Sequence, residues 1–380
     1  MRPYGDAGGA GEGIFDLVDD LFFTFFSVCF LVYYLISLMP LSALHSITIL
    51  LAAAVLDYTI ADPWTWLHPV QVMGWVINWW TNFSWKQGSD RPFIQRCSGV
   101  GLGLTVVIGS GVLGWLVVLG ANFIHPLFGI VTASIMLASC FATRSLRNSA
   151  RDVLEALNCG NLEQARTKLR LFVGRDTQNL SEAEILRAVM ETVTENATDG
   201  AIAPLFYAIV GALIPTIGSV PLALAYKAAS TLDSMVGYRS APYTYIGWFS
   251  ARLEDYLTWL PCRLNVLTLA LLSGKPRQVW KICRRDAVKD PSPNSGWSEC
   301  AYAAVLGVQV GGINWYRGVA KSKPLLGDAI YPITGVRVEQ ALALTRSCFL
   351  IWLLIALILL TGHWSLVTGH CFMGSYFYGC

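Results

Sequence analysis

The sequence predicts an all-α fold, namely a polytopic helical integral membrane protein whose spans are joined by cytoplasmic helical loops. Two observations carry this prediction. Charged residues make up only 14% of the 380 residues, whereas a soluble domain has about 25%. Hydrophobic residues reach 54%, and they are grouped into long runs rather than spread along the chain. The net charge of +2, without a basic stripe that alternates with aromatics, excludes nucleic acid as a partner.

The apolar runs, taken in chain order, indicate where the spans lie. A helix that crosses the hydrocarbon core needs about 20 apolar residues. The runs that approach this length are Leu21–Leu38, Leu41–Ile60, Val100–Gly120, Ile124–Ala142, Ala203–Ile217 and Cys348–Leu360, with a weaker one at Trp259–Leu272. The glycines of Val100–Gly120 predict the close approach of a neighbouring helix. The path from Pro204 to Leu272 stays open, because Pro215 and Pro221 also suit a broken or re-entrant helix.

These runs divide the chain into three expected regions. Residues 1–45 are an N-terminal extension with an extra apolar helix, residues 46–340 a membrane core with motif-bearing loops, and residues 341–380 a transmembrane helix with a glycine-rich tail. Basic residues are concentrated in Arg144–Gly200 and Lys275–Leu344. Because cytoplasmic loops carry the excess of Lys and Arg, we place both segments in the cytoplasm. The expected location is therefore the cell (inner or plasma) membrane, with cytoplasmic active-site loops.

An acidic pattern within Leu180–Gly200 is the most informative polar feature. Glu191, Glu195 and Asp199 recur every four residues and so share one face of a helix. Like charges at this spacing destabilise a helix unless something cationic lies against them. We predict that this face holds Mg²⁺ with a substrate phosphate, and that Asn196 adds a neutral oxygen. The alternative is a solvated acidic face on a cytoplasmic helix.

The boundaries of this helix are also encoded locally. Ser181 is followed by Glu184 three residues later, which predicts a capping box at the start of the helix. Gly200 and Pro204 predict its end, where the apolar run Ala203–Ile217 begins. The acidic face is therefore expected to lie at the membrane surface.

A second motif spans Tyr226–Tyr238. Pro221 suits the first turn of a helix, and Gly237 suits its C-terminal cap. Lys227 and Asp233 are ionisable groups in a mostly apolar setting, where charges are costly and usually functional or paired. Lys227 is a candidate phosphate contact, and Asp233 could hold a metal or orient the lysine. A purely structural Lys–Asp pair is the alternative.

Two further segments carry candidate groups. In Asp290–Gly312, a turn-rich loop containing Asn294 precedes a helix with Glu299 in its first turn, where exposed amides can hold an anion. Glu299 could equally be a residue that compensates the helix dipole. His68, which precedes a proline after the second apolar run, could be a titrating base, although a lone histidine is more often structural.

Taken together, the motifs resemble those of the CobD/CbiB family. In chain order they are LD-x4-DP-x3-LHPV, GRDT-x4-EAE-x6-ETVTEN-x2-DG-x3-PLFY, YKA-x2-TLDSMVGY, RLEDYL-x2-LPCRL, SPN-x2-W-x-E and KPLLGDA. They cover roughly Leu50 to Ala329, and six motifs in one order are far more specific than any single one. The sequence departs from the family pattern at Ala61, where glycine is expected, and at Ser230, where asparagine is expected.

The resemblance implies an enzyme of cobalamin biosynthesis, an adenosylcobinamide-phosphate synthase. Such a ligase joins aminopropanol, usually as its O-phosphate, or an ethanolamine analogue to a carboxylate of adenosylcobyric acid. The resemblance implies ATP as co-substrate and Mg²⁺ as cofactor. The sequence has no classical Walker A motif, so a nucleotide site of another kind is expected. The implied partners are the lipid bilayer, a second copy of the chain and later cobalamin-assembly enzymes.

Within that reaction, we expect the ionisable motif residues to take three roles. The expected catalytic residues are Asp233, Glu299 and Lys227; those for substrate or phosphate binding are Arg175, Arg239, Asn196, Asn294 and His68; and the metal ligands are Glu191, Glu195 and Asp199. Two alternatives from other classes remain. One is a corrinoid or anion transporter, since charged motifs at broken helices also mark transport sites. The other is a non-catalytic membrane regulator of the same family.

Overall fold

The structure is a computed structural model that describes residues 41–60, 68–86, 91–238 and 240–376. As the sequence predicts, the described chain is mainly helical. The helices are α1 (Leu41–Ile60), α2 (Pro69–Lys86), α3 (Pro92–Ile124), α4 (Pro126–Ala138), α5 (Thr143–Asn158), α6 (Leu162–Leu169), α7 (Glu182–Asn196), α8 (Ala203–Ala212), α9 (Ser219–Val236), α10 (Trp248–Leu272), α11 (Pro276–Asp286), α12 (Ser295–Leu306) and α13 (Gly335–Tyr376). The expected run Leu21–Leu38 lies outside the described residues.

Three helical segments of the described chain are long and apolar enough to cross a membrane. They are Pro92–Ile124, Pro126–Asn158 and Gly335–Gly362, and Leu44–Ile60 is a shorter apolar helix. Their length and composition meet the requirement for a bilayer span. The prediction of an all-α, polytopic membrane protein is therefore confirmed.

The region left open by the sequence forms a broken helical path. The apolar run Ala203–Ile217 gives only the short helix α8, and a turn containing Pro215 leads into α9. Gly218 adopts a φ of +80°, and a Cβ on Gly211 would lie 2.2 Å from the Gly218 carbonyl oxygen. Glycine is thus required on both sides of this turn. This turn allows α9 to begin shortly after α8 ends.

The glycine-rich helix α3 packs closely against α9. A Cβ on Gly111 would lie 3.1 Å from the carbonyl oxygen of Pro221, and one on Gly114 would lie 2.5 Å from the Leu224 side chain. Such small residues let helix backbones approach each other in an apolar environment. The expected close contact of this stretch is therefore observed, with α9 as the neighbour.

A two-stranded antiparallel hairpin follows α12 and was not predicted. Strand β1 (Val310–Tyr316) pairs with β2 (Val319–Leu326). The turn between them holds Arg317 at a φ of +52° and Gly318 at a φ of +76°. Two consecutive positive φ angles are typical of the tight turns that match the twist of a hairpin. The hairpin brings residues from the end of the motif region back towards α7 and α12.

The chain divides into two compact units. The larger unit, Thr48–Ala356, contains every motif residue described below. The smaller unit combines the two ends of the chain, and of it the structure describes only the helical segments 41–47 and 357–376. The three regions expected from the sequence, with limits at residues 45 and 340, stay predictions.

Candidate active site

A buried ion pair links α7 to the hairpin. Arg175 Nη2 lies 2.5 Å from Glu191 Oε2, and the other Glu191 oxygen accepts a hydrogen bond of 2.9 Å from the Gly311 amide. Arg175 Nη1 also donates to Asn314 Oδ1 at 2.9 Å. Arg187, one turn before Glu191, donates to the carbonyl oxygen of Gly311. Glu191 Oε1 therefore binds the hairpin directly, and Glu191 Oε2 is connected to it through Arg175. The expected role of Glu191 as a metal ligand stays a prediction.

A second buried ion pair joins β2 to α12. Lys323 Nζ lies 2.5 Å from Glu299 Oε1, and the Glu299 side chain is fully buried. Burial lowers the pKa of Lys323, but the neighbouring carboxylates of Glu299 and Glu195 outweigh it and raise the pKa above its ordinary value. Burial also raises the pKa of Glu195, which Lys323 partly opposes. The lysine is thus a fixed positive charge beside two motif carboxylates.

Asp199 lies in a π-helical turn rather than on a continuation of α7. The π-helix spans Ala197–Ile202, so the continuous α-helical face expected from Glu191 onward stops at the end of α7. Thr198 holds this turn through a 2.8 Å hydrogen bond with Ser298, and Asn265 Nδ2 donates to the Thr198 hydroxyl at 3.1 Å. Isolated π-turns occur frequently at functional sites. Here the turn is held by side chains from α10 and α12.

Four carboxylates from four helical segments interact electrostatically around this turn. Asp199 experiences the negative charges of Glu254, Glu195 and Asp233, and the positive charge of Lys227. Asp233 and Glu195 also act on Glu254, which is itself buried. We call Glu195, Asp199, Asp233 and Glu254 the carboxylate cluster. Helices α7, α9 and α10 and the π-helix each contribute one member.

Asn294, one of the polar residues expected to bind substrate, is buried and contacts α10. Its Nδ2 donates to the carbonyl oxygen of Asp255 at 2.8 Å, while its buried Oδ1 has no hydrogen-bond partner among the described residues. Asn196 ends α7, and its Nδ2 donates to the carbonyl oxygen of Thr192 at 2.9 Å. Asn294 therefore still offers an acceptor oxygen.

His68 and Arg239 are the other two residues expected to bind substrate. His68 precedes α2, and its Nδ1 accepts a 3.3 Å hydrogen bond from the Val70 amide, which is the geometry of a helix cap. Arg239 lies outside the described residues. Both binding assignments stay predictions.

Sequence reasoning missed Glu254 and Lys323. Glu254 lies in the RLEDYL motif, where Thr258 one turn later donates to its carboxylate. Lys323 opens the KPLLGDA motif and reaches Glu299 across 24 residues of sequence. Both residues lie in motifs that resemble those of the family, but the sequence alone did not indicate a catalytic or binding role for either of them. A charged residue inside a recognised motif, next to apolar positions, was the available signal.

The donor atoms of this site suit a hard cation. In the described part of the chain, no three His, Cys, Asp or Glu side chains are arranged as a complete metal site. Mg²⁺ in nucleotide-dependent enzymes needs only one or two carboxylates, with substrate phosphates and waters as its other ligands. Glu299 Oε2 and Asp290 Oδ2 are buried oxygens without a hydrogen-bond partner among the described residues. Both residues interact electrostatically with Glu195, so these carboxylate oxygens lie in its surroundings.

Comparisons with known proteins point to one family. The family model described as CobD/Cbib protein matches residues 50–345. A Synechocystis protein named "Cobalamin biosynthesis protein CobD" is 55% identical over 321 residues, which is 84% of this chain and 93% of that protein. The protein of that name from Geobacter metallireducens is 41% identical over 314 residues, or 80% of this chain and 94% of that protein. The "Cobalamin biosynthesis protein CbiB" of Salmonella typhi is 40% identical over 317 residues, or 79% and 91%. No solved structure matches the chain.

Proposed function

The chain belongs to the CobD/CbiB family, and on that premise we propose that it acts in cobalamin biosynthesis as an amide-forming ligase of the cell membrane. Its substrates would be adenosylcobyric acid and aminopropanol, as the free alcohol, its O-phosphate or an ethanolamine analogue. ATP would be the co-substrate and Mg²⁺ the cofactor. The names of its relatives support the pathway, and the amide-forming step is our proposal.

The proposed reaction has two chemical steps. A carboxylate oxygen of adenosylcobyric acid attacks the γ-phosphorus of ATP, and the bond to ADP breaks to give an acyl phosphate. The amine nitrogen then attacks the acyl carbon. Inorganic phosphate leaves with the electron pair of the bond that held it. The amine loses one proton to a base, so the products are the amide, ADP and phosphate. Activation is needed because direct condensation of a carboxylate with an amine is unfavourable in water.

The carboxylate cluster supplies the groups that such a reaction requires. Glu195 and Asp199 would hold Mg²⁺, which when bound draws the phosphates together and offsets their charge. Lys227, which acts on Asp199, is assigned to a phosphate oxygen. Asp233 is the candidate base for the amine proton, because it lies on the same helix two turns after Lys227. Glu254 is a further candidate base from α10.

The two buried ion pairs would act as positioning elements. Glu191 and Arg175 hold the hairpin against α7, and the hairpin delivers Lys323 to Glu299. A lysine fixed beside Glu195 offsets part of the repulsion between that carboxylate and anionic substrates. We therefore assign Glu191 and Arg175 to positioning, in preference to the metal and phosphate roles expected from the sequence.

The observation that carries the proposal is the convergence of the cluster. Its four members are 4 to 59 positions apart in sequence, yet their carboxylates interact electrostatically in one region. Buried like charges are costly unless a cation or a substrate compensates them. Perturbed charges gathered in this way mark functional sites.

A reconstituted assay would test the proposed function. Full-length protein in liposomes is given adenosylcobyric acid, aminopropanol phosphate and Mg-ATP, and the amide product is measured by mass spectrometry. The proposal expects an amide that depends on all four components. Accumulation of labelled corrinoid inside the liposomes without amide would favour a transporter. Neither activity in a folded protein would favour a non-catalytic family member.

A further inference from the structure

Three arginines converge on one tyrosine near the start of α5, where the Ala142 amide donates a hydrogen bond to the carbonyl oxygen of Gly200, the residue after Asp199. Arg144 and Arg147 lie in the first two turns of α5, and Arg346 lies on α13 just before the apolar run that starts at Cys348. All three meet Tyr58 in the last turn of α1. All three arginines belong to candidate spans, Arg144 and Arg147 to Pro126–Asn158 and Arg346 to Gly335–Gly362, and they lie next to the apolar runs Ile124–Ala142 and Cys348–Leu360.

The contacts to Tyr58 define the site. Arg144 Nη1 donates to the Tyr58 carbonyl oxygen at 2.5 Å. The Arg147 guanidinium carbon lies 4.7 Å from the centre of the Tyr58 ring. Arg147 and Arg346 both interact electrostatically with the tyrosine hydroxyl. Three like charges are thus held around one neutral side chain.

The local carboxylates are already engaged. Glu339 forms two hydrogen bonds of 2.9 Å with Arg151, which lies one turn beyond Arg147. The Asp57 carboxylate accepts a hydrogen bond from Thr143. Arg144 Nε and Arg147 Nε, in contrast, are buried and have no hydrogen-bond partner among the described residues. Donors of this kind are rarely left without an acceptor in a folded protein.

The start of α5 adds a partial positive charge, which the Asp57 carboxylate bound to Thr143 partly offsets. Its N-terminal cap, Ala142, makes no side-chain hydrogen bond, and the first turn contains no acidic residue. Helix N-termini carry partial positive charge and unpaired amides that favour anions. Guanidinium groups bind phosphate oxygens through paired, charge-assisted hydrogen bonds.

We propose that Arg144, Arg147 and Arg346 form a binding site for a phosphate group. The same chemistry is presented by a soluble phosphate and by the headgroup of an anionic lipid. Because Arg346 lies beside an apolar run, the site would be accessible to a lipid headgroup. Anionic lipids attract basic residues at the membrane surface. The site does not depend on the proposed amide-forming reaction, because only binding is claimed.

The test uses full-length protein and two probes. In detergent, inorganic phosphate is titrated against the melting temperature, with sodium chloride at matched ionic strength as reference. In nanodiscs, native mass spectrometry measures how much phosphatidic acid stays bound relative to phosphatidylcholine. Arg147→Gln and Arg346→Gln are compared with Arg151→Gln, whose arginine is paired with Glu339. Two variants on different helices are used so that one remains informative if the other fails to fold.

We expect Arg147→Gln and Arg346→Gln to weaken binding about tenfold, and Arg151→Gln to change it less than about twofold, because a charge-assisted contact is lost only in the first two. Retention of phosphatidic acid would identify a lipid source, and a saturable effect of inorganic phosphate would identify a soluble one. Binding of neither probe to the wild-type protein would overturn the proposal. Equal binding by all four proteins would overturn it as well.

Discussion

Arg175 and Glu191 form an ion pair with 2.5 Å between Nη2 and Oε2, and their side chains are only 9% and 1% exposed. Breaking such a buried pair leaves one uncompensated charge in the interior, which is strongly destabilising. The pair also holds the Gly311 amide, and therefore the hairpin. Glu191, which the sequence spacing predicted to bind metal, thus stabilises the position of the hairpin.

Glu191→Gln and Glu195→Gln are predicted to differ in their effects. Glu191→Gln should lower the free energy of unfolding by about 3 kcal/mol, because Arg175 loses its buried counter-charge. Glu195→Gln should leave the melting temperature almost unchanged but reduce the rate of amide formation by about a hundredfold or more. Melting curves and product assays on the same preparations check both. A stable and fully active Glu195→Gln protein would contradict the assignment of Glu195.

Lys323 and Glu299 should be coupled in a double-mutant cycle. Lys323→Met leaves the fully buried Glu299 without its cation, and we expect a loss of about 3 kcal/mol in stability. Adding Glu299→Gln should recover part of that loss, because the buried charge is then removed as well. Melting temperatures of the four proteins measure the coupling. Additive effects would show that the pair is not formed.

Asp176 is predicted to protect the hairpin turn from proteolysis. Its carboxylate accepts hydrogen bonds from the amides of Arg317 at 3.0 Å and Gly318 at 2.7 Å. Removing both acceptors in Asp176→Ala should open the turn and raise the rate of tryptic cleavage after Arg317 several-fold. Asp152→Ala, at an exposed position on α5, is the matched control. Unchanged cleavage would mean that the turn is held by other contacts.

Asp286 should contribute stability that is lost at acid pH. Burial opposes its ionisation, but hydrogen bonds from Arg285, Lys289 and the Gly327 amide lower the pKa of Asp286 from 3.8 to about 2. Because the folded-state pKa is the lower one, this stability is present above pH 3.8 and is lost as the pH falls towards 2. Asp286→Asn should remove this acid dependence and destabilise the protein at pH 7 by about 1–3 kcal/mol.

Asp328→Asn is the control for that measurement. Asp328 also pairs with Arg285, at 2.7 Å, but its side chain is 41% exposed. Exposed ion pairs contribute only about 0–1 kcal/mol. A loss in Asp328→Asn as large as that in Asp286→Asn would contradict the role given to burial.

Local signals in the sequence predicted some helix boundaries near the site but not others. The end of α7, expected at Gly200, lies at Asn196, because the chain continues as a π-helix. Glu299 was expected in the first turn of α12 but lies beyond it, because that helix begins at Ser295. The capping box of Ser181 and Glu184 is present at the start of α7, and Gly237 caps α9. The sequence also predicted functional roles for Glu195, Asp199, Asp233 and Lys227, whose charges interact in the structure. Their individual roles stay predictions.

Other features could not be inferred because they depend on contacts between distant segments. The π-turn that carries Asp199 is held by Ser298 and Asn265 from other helices. The hairpin has no alternating apolar pattern, and Gly311, which has a positive φ angle, is bound by the side chains of Glu191 and Arg187 from α7. Lys323 reaches the site only because the hairpin folds back. Long-range packing, rather than local propensity, fixed these positions.

The stoichiometry of the reaction tests the central claim most directly. Full-length protein in liposomes would receive adenosylcobyric acid, aminopropanol phosphate and Mg-ATP, with ADP and amide product measured in the same sample. The proposed ligase forms one ADP for each amide, and Asp233→Asn loses both products in parallel while the protein remains folded. Amide formation without ADP, or a folded wild-type protein that forms no amide, would contradict it.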